Sequence, residues 1–164
     1  MSSAAIMEVP TRLLVPIATI KVTGADLFIP EEHFREGVAD GVTIYSVGTR
    51  FKEISFGKTE QDVAPATLCS YELQEDSPDS QIKGELGDGH EALFCYLWEL
   101  IRGQGSGQEG FLRVDGYMNR AYVLGWSVCA CWLSERGWCL TACSTTGQRL
   151  IGSSIVARRP SSRH

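Results

Sequence analysis

The sequence predicts an α+β fold: a mainly antiparallel sheet built around a central hairpin at residues 126–145, with one main amphipathic helix over 90–102 packed on it. Three observations carry this expectation. They are a hairpin whose two faces separate by residue type, a helical run marked at both ends, and flanking segments rich in Val, Ile, Thr and Phe.

The hairpin comes first because it is the most constrained. Ser134-Glu135-Arg136-Gly137 suits a type I turn followed by a left-handed glycine, which gives a three-residue loop with Ser134 opposite Trp138. In that register Cys129 faces Cys143 and Cys131 faces Thr141. Alternation then puts Trp126, Val128, Ala130, Trp132, Trp138 and Leu140 on one face, and Cys129, Cys131, Cys139 and Cys143 on the other. A slip of one residue would mix tryptophans with cysteines on both faces, so the segregation itself supports the pairing. With apolar or small residues on both sides, the hairpin needs a covering layer on each.

The helix follows from period and caps. Asp88 stands where an N-cap is wanted, Glu91 lies three residues on at the capping-box spacing, and Gly103 supplies a C-terminal stop. Leu93, Phe94, Leu97, Trp98 and Ile101 recur on one face, opposite Glu91, Cys95, Glu99 and Arg102.

The remaining chain reads as strands at 11–22, 42–57 and 66–74, with a short proline-led helix from Pro30. Residues 1–164 fit one domain, since a chain of this length with 43% hydrophobic residues buries a sizeable core without disulfides or metal. Its expected appendages are a flexible N-terminus at 1–10, an acidic loop at 75–89 without apolar periodicity, and a basic tail at 157–164.

Composition narrows the partners. A net charge of -5 disfavours nucleic acid, whose phosphates demand a basic surface. The apolar run from Leu13 to Ile20 is short and interrupted by Pro16, so no membrane span is expected. Met1–Met7 lacks a signal-peptide pattern, and six cysteines then point to free thiols in a reducing, cytoplasmic setting.

Motifs with chemistry are few. Gly105–Gly110 spells GxGxxG, but it follows a helix and leads toward a strand, the reverse of the dinucleotide-binding order. Among the histidines, His33 sits in a polar cluster with Glu32, which makes a carboxylate–histidine site one reading and a solvated helix face the other. At the helix start, the dipole would keep His90 neutral and able to serve as a base, or simply as a capping residue. Cys129, Cys131 and Cys143 are candidate metal ligands, yet no CxxC knuckle is present and a fourth ligand is missing. Cys139 and Cys143, roughly 13 Å apart along an extended strand, cannot share one ion. The cysteines therefore read as small buried residues, reduced and metal-free, and no cofactor is expected.

Without a catalytic constellation, the expected function is a protein-interaction or assembly module that self-associates and carries no catalytic activity. The alternative is a small-molecule-binding protein or enzyme with a pocket between helix 90–102 and the sheet, using His90, Tyr96 or Glu99.

Overall fold

The computed structural model describes residues 13–75, 77–87, 89–144 and 154–159. Along the chain these form β1 (Leu14–Val22), β2 (Ala25–Phe28), α1 (Pro30–His33), β3 (Gly37–Ala39), β4 (Val42–Val47), α2 (Thr49–Ser55) and β5 (Glu60–Val63). There follow β6 (Ala66–Leu73), α3 (Asp79–Leu86), α4 (Phe94–Gly103), β7 (Asn119–Val123), β8 (Trp126–Leu133), β9 (Gly137–Ser144) and β10 (Ser154–Arg158).

One 8-stranded sheet runs in the order β1-β6-β10-β7-β8-β9-β4-β3, and β2 with β5 forms a separate pair. The sheet is mixed, because β10 lies parallel to β7 and β4 parallel to β9. This corrects the expected mainly antiparallel sheet with a central hairpin and one main helix. The hairpin is there as β8 and β9, but it is one part of a wide sheet attended by several short helices. Turn chemistry reports antiparallel neighbours joined locally, whereas a parallel pair joins distant segments and leaves no turn to read.

The hairpin faces agree with the alternation, but the pairing is shifted by two residues. Leu133 pairs with Gly137, Cys131 with Cys139, Cys129 with Thr141 and Ser127 with Cys143. The Arg136 N–H donates to the Leu133 carbonyl at 2.9 Å, and Glu135 takes a left-handed φ of 65°. The left-handed residue is thus Glu135, and the three-residue loop falls one position earlier than expected, which moves every pair by two without exchanging faces.

Those two faces meet different layers. Val128, Ala130, Trp138 and Leu140 join the larger core, with α4 and with Phe34 and Phe51 from the region of α1 and α2. The helix begins at Phe94 and is buried nearly all round, Cys95 and Tyr96 included, so the polar face assigned to Cys95 is not one. Its first turn is capped from a distance, the Phe94 and Cys95 N–H groups donating to the Glu60 carboxylate at 2.9 Å each. Burial pushes the Glu60 carboxyl above its usual value, and these two donors pull it back in part. Glu91 does not close a capping box; its carboxylate accepts from the Gly125 N–H at 2.7 Å, and Asp88 lies outside the described residues.

On the second face, Leu14, Leu73, Tyr122 and Ile155 pack against Ile82 of α3. That helix stands within the expected acidic loop. Its sequence offers only Ile82 and Leu86 as apolar anchors, too few to register as a period, and the sheet organises it.

Strand β10 departs furthest from expectation. It lies between β6 and β7, with Ser154 to Ala157 buried, so the strand runs into the stretch expected to be a tail. Arg158 Nε also donates to the Glu91 carbonyl at 2.7 Å. Residues 160–164 and 1–10 lie outside the described residues.

Two stability measurements follow. Leu97 is 5% exposed, so Leu97→Ala is expected to cost about 2 to 5 kcal/mol in urea unfolding. A chain ending at Val156 removes the buried Ala157 and the Arg158 contact; its unfolding midpoint should fall by an amount worth about 1 to 3 kcal/mol.

Candidate functional site

The residues singled out by sequence do not converge. His33 ends α1 and stacks on Phe28, with ring centroids 4.9 Å apart and planes 7° from parallel; Trp98 is 5.1 Å away on α4. With Glu32, Glu36 and Asp40 it lines an open cleft of about 230 Å³. No carboxylate among the described residues forms an ion pair with His33, so the cleft does not hold a ready acid–base dyad. His90 packs edge-on against Tyr122, on the second face of the sheet, and its Nδ1 lies 3.0 Å from the Gly87 carbonyl. The two histidines therefore belong to separate surroundings.

The helix residues proposed for a pocket have structural partners. Tyr96 donates its hydroxyl to the Ala64 carbonyl at 2.6 Å, and burial pushes its phenol up. Glu99 accepts from the Thr23 N–H and hydroxyl and from the Gly24 N–H at 2.8 to 3.1 Å. Between α4 and the sheet there is a void of only about 10 Å³, room for no more than a water molecule.

The cysteine face has a different centre. Arg120 and Asp79 are each 1% exposed and meet at 2.8 Å, while the Tyr122 hydroxyl donates to the same Asp79 oxygen at 2.5 Å. Arg120 is cross-strand from Cys129, a buried thiol raised by desolvation against the guanidinium's opposing pull. Among the described residues, two guanidinium nitrogens, Nε and Nη2, have no hydrogen-bond partner, nor does Asp79 Oδ2. Cys131, Cys139 and Cys143 are partly exposed, and no disulfide joins any two of the six cysteines. Among the described residues no group of three or more His, Cys, Asp or Glu side chains is arranged to hold a metal ion.

The surface feature that sequence reasoning missed is the outer edge of β1. Residues 15–21 are exposed on both sides, Val15, Ile17 and Ile20 among them at 42%, 57% and 36%. The strand's ends are covered: Glu85 takes the Leu13 and Leu14 N–H groups, and Glu99 those of Thr23 and Gly24. Pro16 and a register shift beside it interrupt the middle.

The direction of the remaining peptide groups can be worked out from β6. Thr67 gives its carbonyl to Arg159 on the far side, so its β1 partner Lys21 points its own N–H and C=O outward, as does Thr19 two residues earlier. Neither has a partner among the described residues. The signal was in the sequence, since a proline inside a Val/Ile-rich strand marks an edge.

None of the described helices is long and apolar enough to cross a membrane. No family model matches the chain, and no curated protein or solved structure matches it either.

The buried ion pair yields a measurement. Arg120→Met removes the cationic partner of the buried Asp79 and is expected to cost about 3 to 5 kcal/mol in chemical denaturation, whereas the double variant Asp79→Leu/Arg120→Met should recover most of that loss.

Proposed function

We propose that this chain is a protein-interaction module without catalytic activity, which self-associates by joining the β1 edges of two copies. One observation carries the reading: β1 is the outer strand of the large sheet, with seven consecutive exposed residues and outward peptide groups at Thr19 and Lys21. Groups two residues apart satisfy a two-fold antiparallel pairing without adjustment. With the axis at Ile20, Thr19 of one copy faces Lys21 of the other and each such pair exchanges both N–H···O bonds. The two Ile20 side chains then lie opposite one another on one face. Strand addition of this kind draws affinity from main-chain bonds and specificity from the flanking side chains.

The covered ends of β1 define how far pairing can run. Pro16 lacks a donor, and the carboxylates of Glu85 and Glu99 already occupy the peptide groups beyond it. A short central contact bounded in this way favours a closed pair over an open fibre. The six unbridged thiols are consistent with a reducing, cytoplasmic setting.

Sedimentation velocity over a concentration series checks the proposal. A dimer is expected whose population falls in Thr19→Pro, which removes an outward N–H at a position where β1 needs no donor toward β6, and in Ile20→Glu, which opposes two carboxylates at the axis. Circular dichroism should report both variants folded. A wild-type chain that stays monomeric, or a dimer indifferent to both substitutions, overturns the reading.

A further inference from the structure

The two-residue shift in the hairpin changes which thiols are neighbours. Cys131 and Cys139 are directly opposed across β8 and β9, on the cysteine face, and both are partly exposed. We propose that they form a redox-active dithiol, oxidised to a cross-strand disulfide by exchange with a low-molecular-weight disulfide of the glutathione type.

The geometry permits the bond and sets its character. Leu140 directs its carbonyl to the Gly48 N–H just past the end of β4, so its neighbour Cys139 directs its peptide groups to β8, which makes Cys131 and Cys139 a hydrogen-bonded antiparallel pair. In such pairs the Cα atoms lie about 5.5 Å apart, inside the range of about 4.4 to 6.8 Å that disulfides span. The Cβ atoms of a hydrogen-bonded pair, about 5 to 5.5 Å apart, lie beyond the about 3.5 to 4.5 Å of a relaxed bridge, so closing it must draw the strands together locally. A bond made under strain and near the surface is readily reduced again, as reversible disulfides are. It would close only the hairpin's own short loop, so its main effect is chemical and not structural.

The other thiols are less well placed. Cys129 is buried and faces Thr141, Cys143 faces Ser127, and Cys69 and Cys95 are buried elsewhere in the fold. Within the pair the roles differ. The Cys131 thiol lies 3.2 Å from the Gly116 carbonyl, to which it donates, and that bond favours its protonated form. Cys139 therefore attacks first. Its thiolate adds to one sulfur of the oxidised glutathione, releases one glutathione thiolate and forms a mixed disulfide. Cys131, having lost its proton to solvent, then attacks the Cys139 sulfur and expels the second glutathione thiolate. Two protein thiols are oxidised to one disulfide, and one glutathione disulfide is reduced to two thiols.

The test uses the full chain, reduced, desalted and incubated with oxidised glutathione, then acid-quenched for intact-mass and tryptic mass spectrometry. Trypsin cuts at Arg136, between the two cysteines, so the bond is seen as a link between peptides 121–136 and 137–149. Expected are the loss of two hydrogens from the intact mass, a Cys131–Cys139 link in fragment spectra and full reversal by dithiothreitol. Cys131→Ala should instead accumulate a glutathione adduct on Cys139, and Cys129→Ala should keep the link. A stable glutathione adduct on the wild-type chain, a link through any other cysteine, or no reaction under conditions that oxidise a model dithiol overturns the proposal.

Discussion

The sheet depends on the insertion of β10. Strands β1 and β6 come from the first half of the chain, while β7, β8 and β9 come from the second, and among the described strands β10 joins the two sets by pairing antiparallel with β6 and parallel with β7. The consequences reach both faces. Val156 lies in the larger core and Ile155 in the smaller one, so one short strand contributes to each. Without it, two open edges would appear in the middle of the molecule, each with a row of unpaired peptide groups buried beneath α3 or α4.

The two faces are stabilised by different means. The larger core is aliphatic and aromatic, with Phe34 meeting Phe51, Phe94 and Trp98 edge-to-face at 5.1 to 6.3 Å. Such contacts add to simple burial and tolerate no charge. The second face is thinner. There Asp79, at the start of α3, is tied to Arg120 and Tyr122 in the sheet, and Lys83 lies over the Tyr122 ring at 4.9 Å. A buried ion pair adds little net stability, but it fixes where a short helix sits, because any displacement strands a charge away from water. The thin cover also leaves the neighbouring cysteine strip partly open.

What could be read from the sequence was local. The segregation of tryptophans from cysteines placed both hairpin faces, and the period of Leu97, Trp98 and Ile101 placed them in the core. The register was not recoverable from that segregation, because shifts of two residues preserve face parity, and only the loop closure between Leu133 and Gly137 separates them. The N-terminal cap of α4 was misread for a related reason. Glu60 is distant in sequence and unrecognisable as a cap until β5 brings it alongside Phe94, whereas Glu91 had the spacing but bonds to Gly125 instead. Helix α3 and the parallel pairs likewise depend on long-range contacts with no local signature. Among the candidate site residues, Glu32 and His33 line one cleft without forming an ion pair, and that cleft was not legible, since its other wall, Trp98, comes from a distant helix.

The order of the strands bears on how the protein is made. During synthesis β1 through β9 all emerge before β10, yet β6 and β7 cannot be bridged until it arrives. A nascent chain in which the earlier strands had already paired would hold two incomplete half-sheets, whose facing edges are strands that the mature fold buries. Pairings so distant in sequence form slowly, and unfinished edges are the surfaces on which nascent chains cross-pair. The interval between the emergence of β9 and the arrival of β10 is the stage at which a ribosome-associated chaperone would matter most to this fold.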